Sequence, residues 1–121
     1  MTTILVVDDD PGVRYALTEV LRDRGHRVIA ASSGPEALGL LEGVEVVVTD
    51  LVMPGMDGLE LVSRIAARAP ALPVLLVTAH GSEQMVQIAA RRGACGCLRK
   101  PFDIDEIVNA IEQARPRSCG G

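Results

Sequence analysis

Asp8, Asp9, Asp50 and Lys100 each stand at or just beyond the end of an apolar run. Asp8-Asp9-Asp10 follows Ile4-Leu5-Val6-Val7, Asp50 closes Val44-Glu45-Val46-Val47-Val48-Thr49-Asp50, and Lys100 comes after a run further along. Carboxylates held close together repel one another, and the usual remedies are to protonate one or to bind a cation. A hard divalent ion is the natural remedy here. Magnesium takes oxygen ligands in an octahedron, keeps several waters, and typically uses one or two carboxylates plus phosphate oxygens. Asp9 and Asp50 fit that demand, with Asp8 in support. Softer metals would need histidines or thiolates, and neither His26, His80 nor the cysteines are placed for it.

Asp50 is also the best nucleophile candidate. A carboxylate can attack phosphorus if a cation and a cationic side chain neutralise the charge on the equatorial oxygens. Lys100 supplies that point charge, and Thr78, with the backbone N–H of Ala79 beside it, can hydrogen-bond the transferred group. The product would be an acyl phosphate carrying about two negative charges, enough to reorganise a loop. Taken singly, Thr78 reads as a strand-end threonine, Lys100 as a solvated surface lysine and Asp10 as a helix cap. Their joint placement at successive strand ends favours the chemical reading for Thr78 and Lys100, while Asp10 stays a cap.

Five short apolar runs, near 3–8, 27–31, 45–49, 73–77 and 95–99, alternate with segments of helical period. That alternation is the pattern of an α/β fold, a single (βα)5 doubly wound parallel sheet. Val13, Leu17, Val20 and Leu21 form one helical stripe, and Ile104, Ile107, Val108 and Ile111 another, and both should face the sheet. Asp10-Pro11, Asp57 with Glu60, Ser82, and Asp103 with Glu106 read as helix starts, since the first N–H groups of a helix need acceptors. Gly25 and Gly93 follow Arg-rich turns and read as helix ends. In the flavodoxin-like strand order 2-1-3-4-5, ligands bind beyond the carboxyl ends of the strands, where Asp8, Asp9, Asp50, Thr78 and Lys100 all fall.

With 121 residues the chain has room for one domain, and 48% hydrophobic residues supply one ordinary core. The net charge of -4 argues against a sequence-independent grip on nucleic acid, and Arg91-Arg92 with Arg99 reads as a solvated face. No basic leader or long apolar stretch suggests secretion or a membrane span, so a cytoplasmic location is expected. The three cysteines, Cys95, Cys97 and Cys119, match neither a disulfide framework nor a zinc site.

These residues together resemble the receiver domain of two-component response regulators, over residues 2–115. The resemblance is carried by Ile4-Leu5-Val6-Val7-Asp8-Asp9-Asp10, Asp50-Leu51-Val52-Met53-Pro54-Gly55-Met56-Asp57-Gly58, Val77-Thr78-Ala79 and Lys100-Pro101-Phe102. It implies a receiver domain at 1–115 with 116–121 as a linker or disordered tail. Asp50 would be the phosphoacceptor, with Asp8, Asp9, Asp50 and the main-chain carbonyl of Val52 holding Mg2+, and with Thr78, Ala79 and Lys100 at the phosphoryl group. Such a domain catalyses only its own phosphoryl transfer and dephosphorylation. Its donor would be a sensor histidine kinase, or a small-molecule phosphodonor in its absence. Its output would be an effector domain or downstream protein, with a homodimer through helix 4, strand 5 and helix 5. Thr78-Ala79-His80-Gly81 and the run from Lys100 to Glu106 are similar to receivers of the nitrogen-regulation class.

One departure stands out. Receivers of this kind carry an aromatic residue three positions before the lysine, coupled to the threonine as a switch, and this chain has Cys97 there. A thiol cannot sweep the volume of a ring, so the output step differs from the family's. The alternative is therefore an interaction module with a receiver fold that does not accept phosphate or that switches atypically. A phosphatase of the haloacid-dehalogenase type shares the two-residue spacing of Asp8 and Asp10, but has threonine or valine where this chain has Gly12. A flavin carrier would find its phosphate repelled by Asp8-Asp9-Asp10.

Overall fold

The structure is a computed structural model that describes residues 2–78, 83–99 and 103–114. Strands and helices alternate along the chain as β1 (Thr3–Val7), α1 (Pro11–Asp23), β2 (Arg27–Ala31), α2 (Gly34–Leu38) and β3 (Val46–Asp50). They continue as α3 (Gly58–Arg68), β4 (Val74–Thr78), α4 (Glu83–Arg91), β5 (Gly96–Arg99) and α5 (Ile104–Gln113). Each strand lies within one residue of its expected place. All pairings are parallel, and the order is β2-β1-β3-β4-β5, as expected for a flavodoxin-like sheet.

Strand residues alternate between two cores because successive side chains point to opposite faces. Ile4, Val6, Val46, Val48, Leu75 and Val77 pack with Leu17 and Leu21 of α1 and with Ile107, Val108 and Ile111 of α5. Leu5, Val7, Val47, Val74 and Leu76 pack on the other face with Ala37 of α2, with Leu61, Val62 and Ile65 of α3, and with Ala89 of α4. The central strands are buried on both sides, which explains why they read as continuous apolar runs rather than alternating ones. Val13, Leu17 and Leu21 of the first stripe and Ile107, Val108 and Ile111 of the second face the sheet as expected, although Thr18 rather than Val20 completes the buried face of α1.

Local chemistry sets the helix boundaries. Asp10 Oδ1 accepts from the Gly12 and Val13 N–H groups at 2.8 and 3.4 Å, with Pro11 opening α1. Gly25 follows the end of α1 at φ +88°, a left-handed conformation that costs glycine little. Asp57 caps α3 through the Glu60 N–H at 2.9 Å, but Glu60 turns to Arg64 at 3.0 Å instead of reaching back as a capping box requires. Asp103 differs from expectation, because its side chain makes no capping bond to α5. Its own carbonyl accepts the Glu106 N–H at 3.1 Å, so the donor a capping side chain would satisfy is already taken. Ser82 lies outside the described residues.

Candidate functional site

Val7 pairs with Thr49 across β1 and β3, so Asp8, just past the end of β1, and Asp50, the last residue of β3, come side by side at the carboxyl edge of the sheet. Asp8 is buried, Asp50 half-buried and Asp9 exposed, and each offers a carboxylate oxygen within 4.8 Å of the other two. Ligands on one octahedral Mg2+ lie roughly 3 to 4 Å apart, given Mg–O distances of about 2.1 Å. The triad therefore matches a hard divalent cation in donor type and needs only a small contraction. Asp10 is tied elsewhere, as the cap of α1, and its N–H donates to Asp8 Oδ1 at 2.9 Å. Asp10→Ala is expected to lower stability by about 1 kcal/mol in urea denaturation while leaving Mg2+ binding in place, as a cap and not a ligand would behave.

The turn after Asp50 is held by backbone contacts. Leu51 N–H donates to Val77 O at 3.3 Å, Val52 N–H donates to Asp50 Oδ1 at 3.4 Å, and Gly58 N–H donates to Leu51 O at 2.8 Å. Gly58 opens α3 directly against this turn. A Cβ built there would lie 2.5 Å from the Asp50 carbonyl oxygen and 2.7 Å from Leu51 Cα. Only glycine lets helix and strand end approach so closely. Gly55 supplies the positive φ (+77°) that folds the turn back, and Val52 stands at the rim with 54% of its surface exposed.

Thr78 ends β4 fully buried, one residue beyond the Asp50–Val77 pairing and opposite Arg99. It thus shares the carboxyl edge of the sheet with Asp8, Asp9 and Asp50. Ala79, His80, Lys100 and the tail after Ala114 lie outside the described residues. Cys97 is a half-buried cysteine on β5 outside any disulfide, aligned with Leu76 of β4 and packed against the core shared with α3 and α4. The expectation that the cysteines form no disulfide is corrected at Cys95, which is disulfide-bonded.

Three of the polar contacts that the sequence expectations did not include are at Ser33, His26 and Arg14. Ser33 caps α2 by accepting the Glu36 N–H at 3.3 Å, and His26 Nδ1 accepts the Thr2 N–H at 3.3 Å. The third bears on the site, because Arg14 Nη1 donates to the main-chain oxygen of Asp8 at 2.6 Å. An arginine six residues past an aspartate gives no periodic signal, so only the folded path of the β1–α1 turn reveals it.

A five-stranded parallel sheet of this order with an acidic cluster at its carboxyl edge is the frame of a signalling receiver. Residues 4–112 match the family model described as the response regulator receiver domain, and the chain belongs to that family. It is 37% identical over 115 residues to sporulation initiation phosphotransferase F of Bacillus subtilis strain 168, covering 93% of both chains. It is 41% identical over 113 residues to the DNA-binding transcriptional regulator NtrC of Salmonella typhimurium strain LT2, covering 92% of this chain and 24% of that one. Among solved structures, the CheX-CheY-BeF3-Mg+2 complex from Borrelia burgdorferi superposes with a TM-score of 0.87 at 27% identity, covering 93% of this chain and 87% of that one. The chain therefore spans nearly all of the sporulation protein but about a quarter of NtrC. The likeness to NtrC agrees with the resemblance to the nitrogen-regulation class. Response regulators take phosphate from histidine kinases and link to effector domains, which makes this a domain of two-component signal transduction.

Proposed function

We propose that the chain accepts a phosphoryl group on Asp50 in a Mg2+-dependent reaction and uses the modified state to change an output surface. The observation that carries this reading is the convergence of Asp8, Asp9 and Asp50 within 4.8 Å at one sheet edge. A bound Mg2+, held by these carboxylates and the Val52 carbonyl, would offset the charge on the phosphoryl oxygens. An Asp50 carboxylate oxygen forms a bond to phosphorus as the donor's bond to phosphorus breaks, and the leaving group departs with that electron pair. Lys100 and Thr78, with the Ala79 N–H, hold the oxygens of the group once it is on Asp50. The donor is a phosphohistidine on a sensor kinase, and a small phosphodonor such as acetyl phosphate can replace it.

With Cys97 where the family has an aromatic ring, the modified state is passed to the output surface without ring rotation. A homodimer through α4, β5 and α5, or an attached effector, would sense it. We assign residues 1–115 to the receiver and 116–121 to a linker.

Incubation with acetyl phosphate and Mg2+ is expected to add the mass of one phosphoryl group, mapping to Asp50 in peptide digests. Labelling at Asp8, or none, would overturn the proposal. Mg2+ alone should raise the melting temperature, since a ligand at ten times its dissociation constant stabilises the folded state by about 1.4 kcal/mol. Chelation with EDTA should reverse that gain, and an unchanged melting curve would count against the metal site.

A further inference from the structure

We infer that Arg14 is a positioning residue for the metal-binding acids, fixing the peptide that joins Asp8 to Asp9. The inference rests on the reading of the acidic cluster as a Mg2+ site. Arg14 stands on the first turn of α1, half-buried, and its Nη1 donates to the Asp8 main-chain oxygen at 2.6 Å. A donor that is charged makes this bond stronger than an ordinary backbone contact. Its own position is secured by the helix, where Thr18 Oγ1 donates to the Arg14 carbonyl at 2.7 Å.

The residue gripped is the pivot of the site. The Asp8 N–H donates to Ala31 O at 3.1 Å, and Asp8 Oδ1 accepts the Asp10 N–H at 2.9 Å. Arg14 adds a hold on the main chain, because the Asp8 carbonyl belongs to the Asp8–Asp9 peptide. A peptide free at that oxygen can swing about its flanking bonds and carry the next side chain with it. Asp9 is the exposed member of the triad, so its carboxylate depends on the backbone beneath it for aim. With Arg14 in place, less order has to be imposed when the ion arrives.

The guanidinium also carries a positive charge near a cation site, which by itself would weaken binding. Solvent at the exposed rim screens that repulsion, whereas a half-buried bond to the main chain is screened much less. Positioning should therefore prevail, and the two effects move the metal affinity in opposite directions.

Calorimetric titration of the intact chain with MgCl2 separates them. Arg14→Ala is expected to weaken Mg2+ binding by about tenfold, equivalent to ~1.4 kcal/mol. Arg14→Lys, which keeps a donor on a flexible stem, should recover part of the loss. Labelling of Arg14→Ala by acetyl phosphate should stay within about twofold of the parent at saturating Mg2+, with the loss confined to the half-saturating concentration. An affinity equal to the parent's in Arg14→Ala would reduce Arg14 to a structural contact, and a tighter one would show repulsion to dominate; either overturns the inference. Should the parent itself show neither Mg2+ binding nor labelling, the reading of the cluster fails first, independently of Arg14.

Discussion

Asp50→Asn is expected to abolish labelling by acetyl phosphate, to below a thousandth of the parent rate on the order of magnitude typical for loss of a nucleophile. The amide has nearly the same shape as the carboxylate but no anionic oxygen to attack phosphorus. A second effect should accompany it. Asp50 shares a space within 4.8 Å with Asp8 and Asp9, and three negative groups so placed repel one another in the absence of a cation. Two unit charges 4 Å apart interact by about 1 kcal/mol in water and about 4 kcal/mol at an effective dielectric near 20. Since Asp9 is exposed and Asp50 half-buried, screening keeps the expected gain near the lower figure, about 1 kcal/mol. Without Mg2+ the variant should therefore melt higher than the parent, and with Mg2+ the difference should shrink. Intact mass and melting curves, each with and without MgCl2, test both halves. Labelling that persists at an unchanged rate would remove Asp50 from the mechanism.

Gly58→Ala is the second large effect. The added Cβ would meet the Asp50 carbonyl oxygen at 2.5 Å and Leu51 Cα at 2.7 Å, both of them backbone atoms that no rotamer change can move aside. The Gly58 N–H to Leu51 O bond at 2.8 Å draws the same segments together, so relief of the clash strains that bond. Overpacking of this kind costs about 1–3 kcal/mol, and the rigid surroundings place this case at the upper end. A drop in melting temperature of about 10 °C follows for a domain of this size. Because the displaced backbone carries Asp50, labelling should also fall, by roughly tenfold to a hundredfold. Gly39→Ala is the natural control, since a Cβ there would meet only the Glu36 carbonyl at an ordinary 3.5 Å. Its melting temperature should barely move, and equal losses in the two variants would refute the packing argument.

Much of this fold is legible in the chain because its strands are buried on both faces. Val46-Val47-Val48 and Val74-Leu75-Leu76-Val77 read as strands without alternation, and turn residues bound them. Asp10 and Asp57 announce helix starts for the same reason they cap them, a short acceptor before a run of unsatisfied donors. Asp103 carries the same signature without the bond, since a cap depends on whether its donor is still available. The α2 start carries a signal that is easily passed over, Ser33 and Glu36 at capping-box spacing with Pro35 between them, because the five residues that follow are too few to establish a period. Of the candidate site, Asp8, Asp9 and Asp50 could be gathered from strand order alone. Arg14 could not, because a side chain reaching a main-chain oxygen is specified by the path of the turn rather than by residue types.

The alternation of side chains between two cores limits the ways this molecule can go wrong. Were β3 threaded one residue out of step, Val46 and Val48 would exchange layers with Val47, and Asp50 would travel about 3.3 Å while turning to the opposite side. Such an isomer would lose its carboxylate alignment and both of its apolar interiors at once. Molecules that achieve cooperative folding are thus the same molecules that present an assembled acidic edge, and a calorimetric transition doubles as a count of competent receivers.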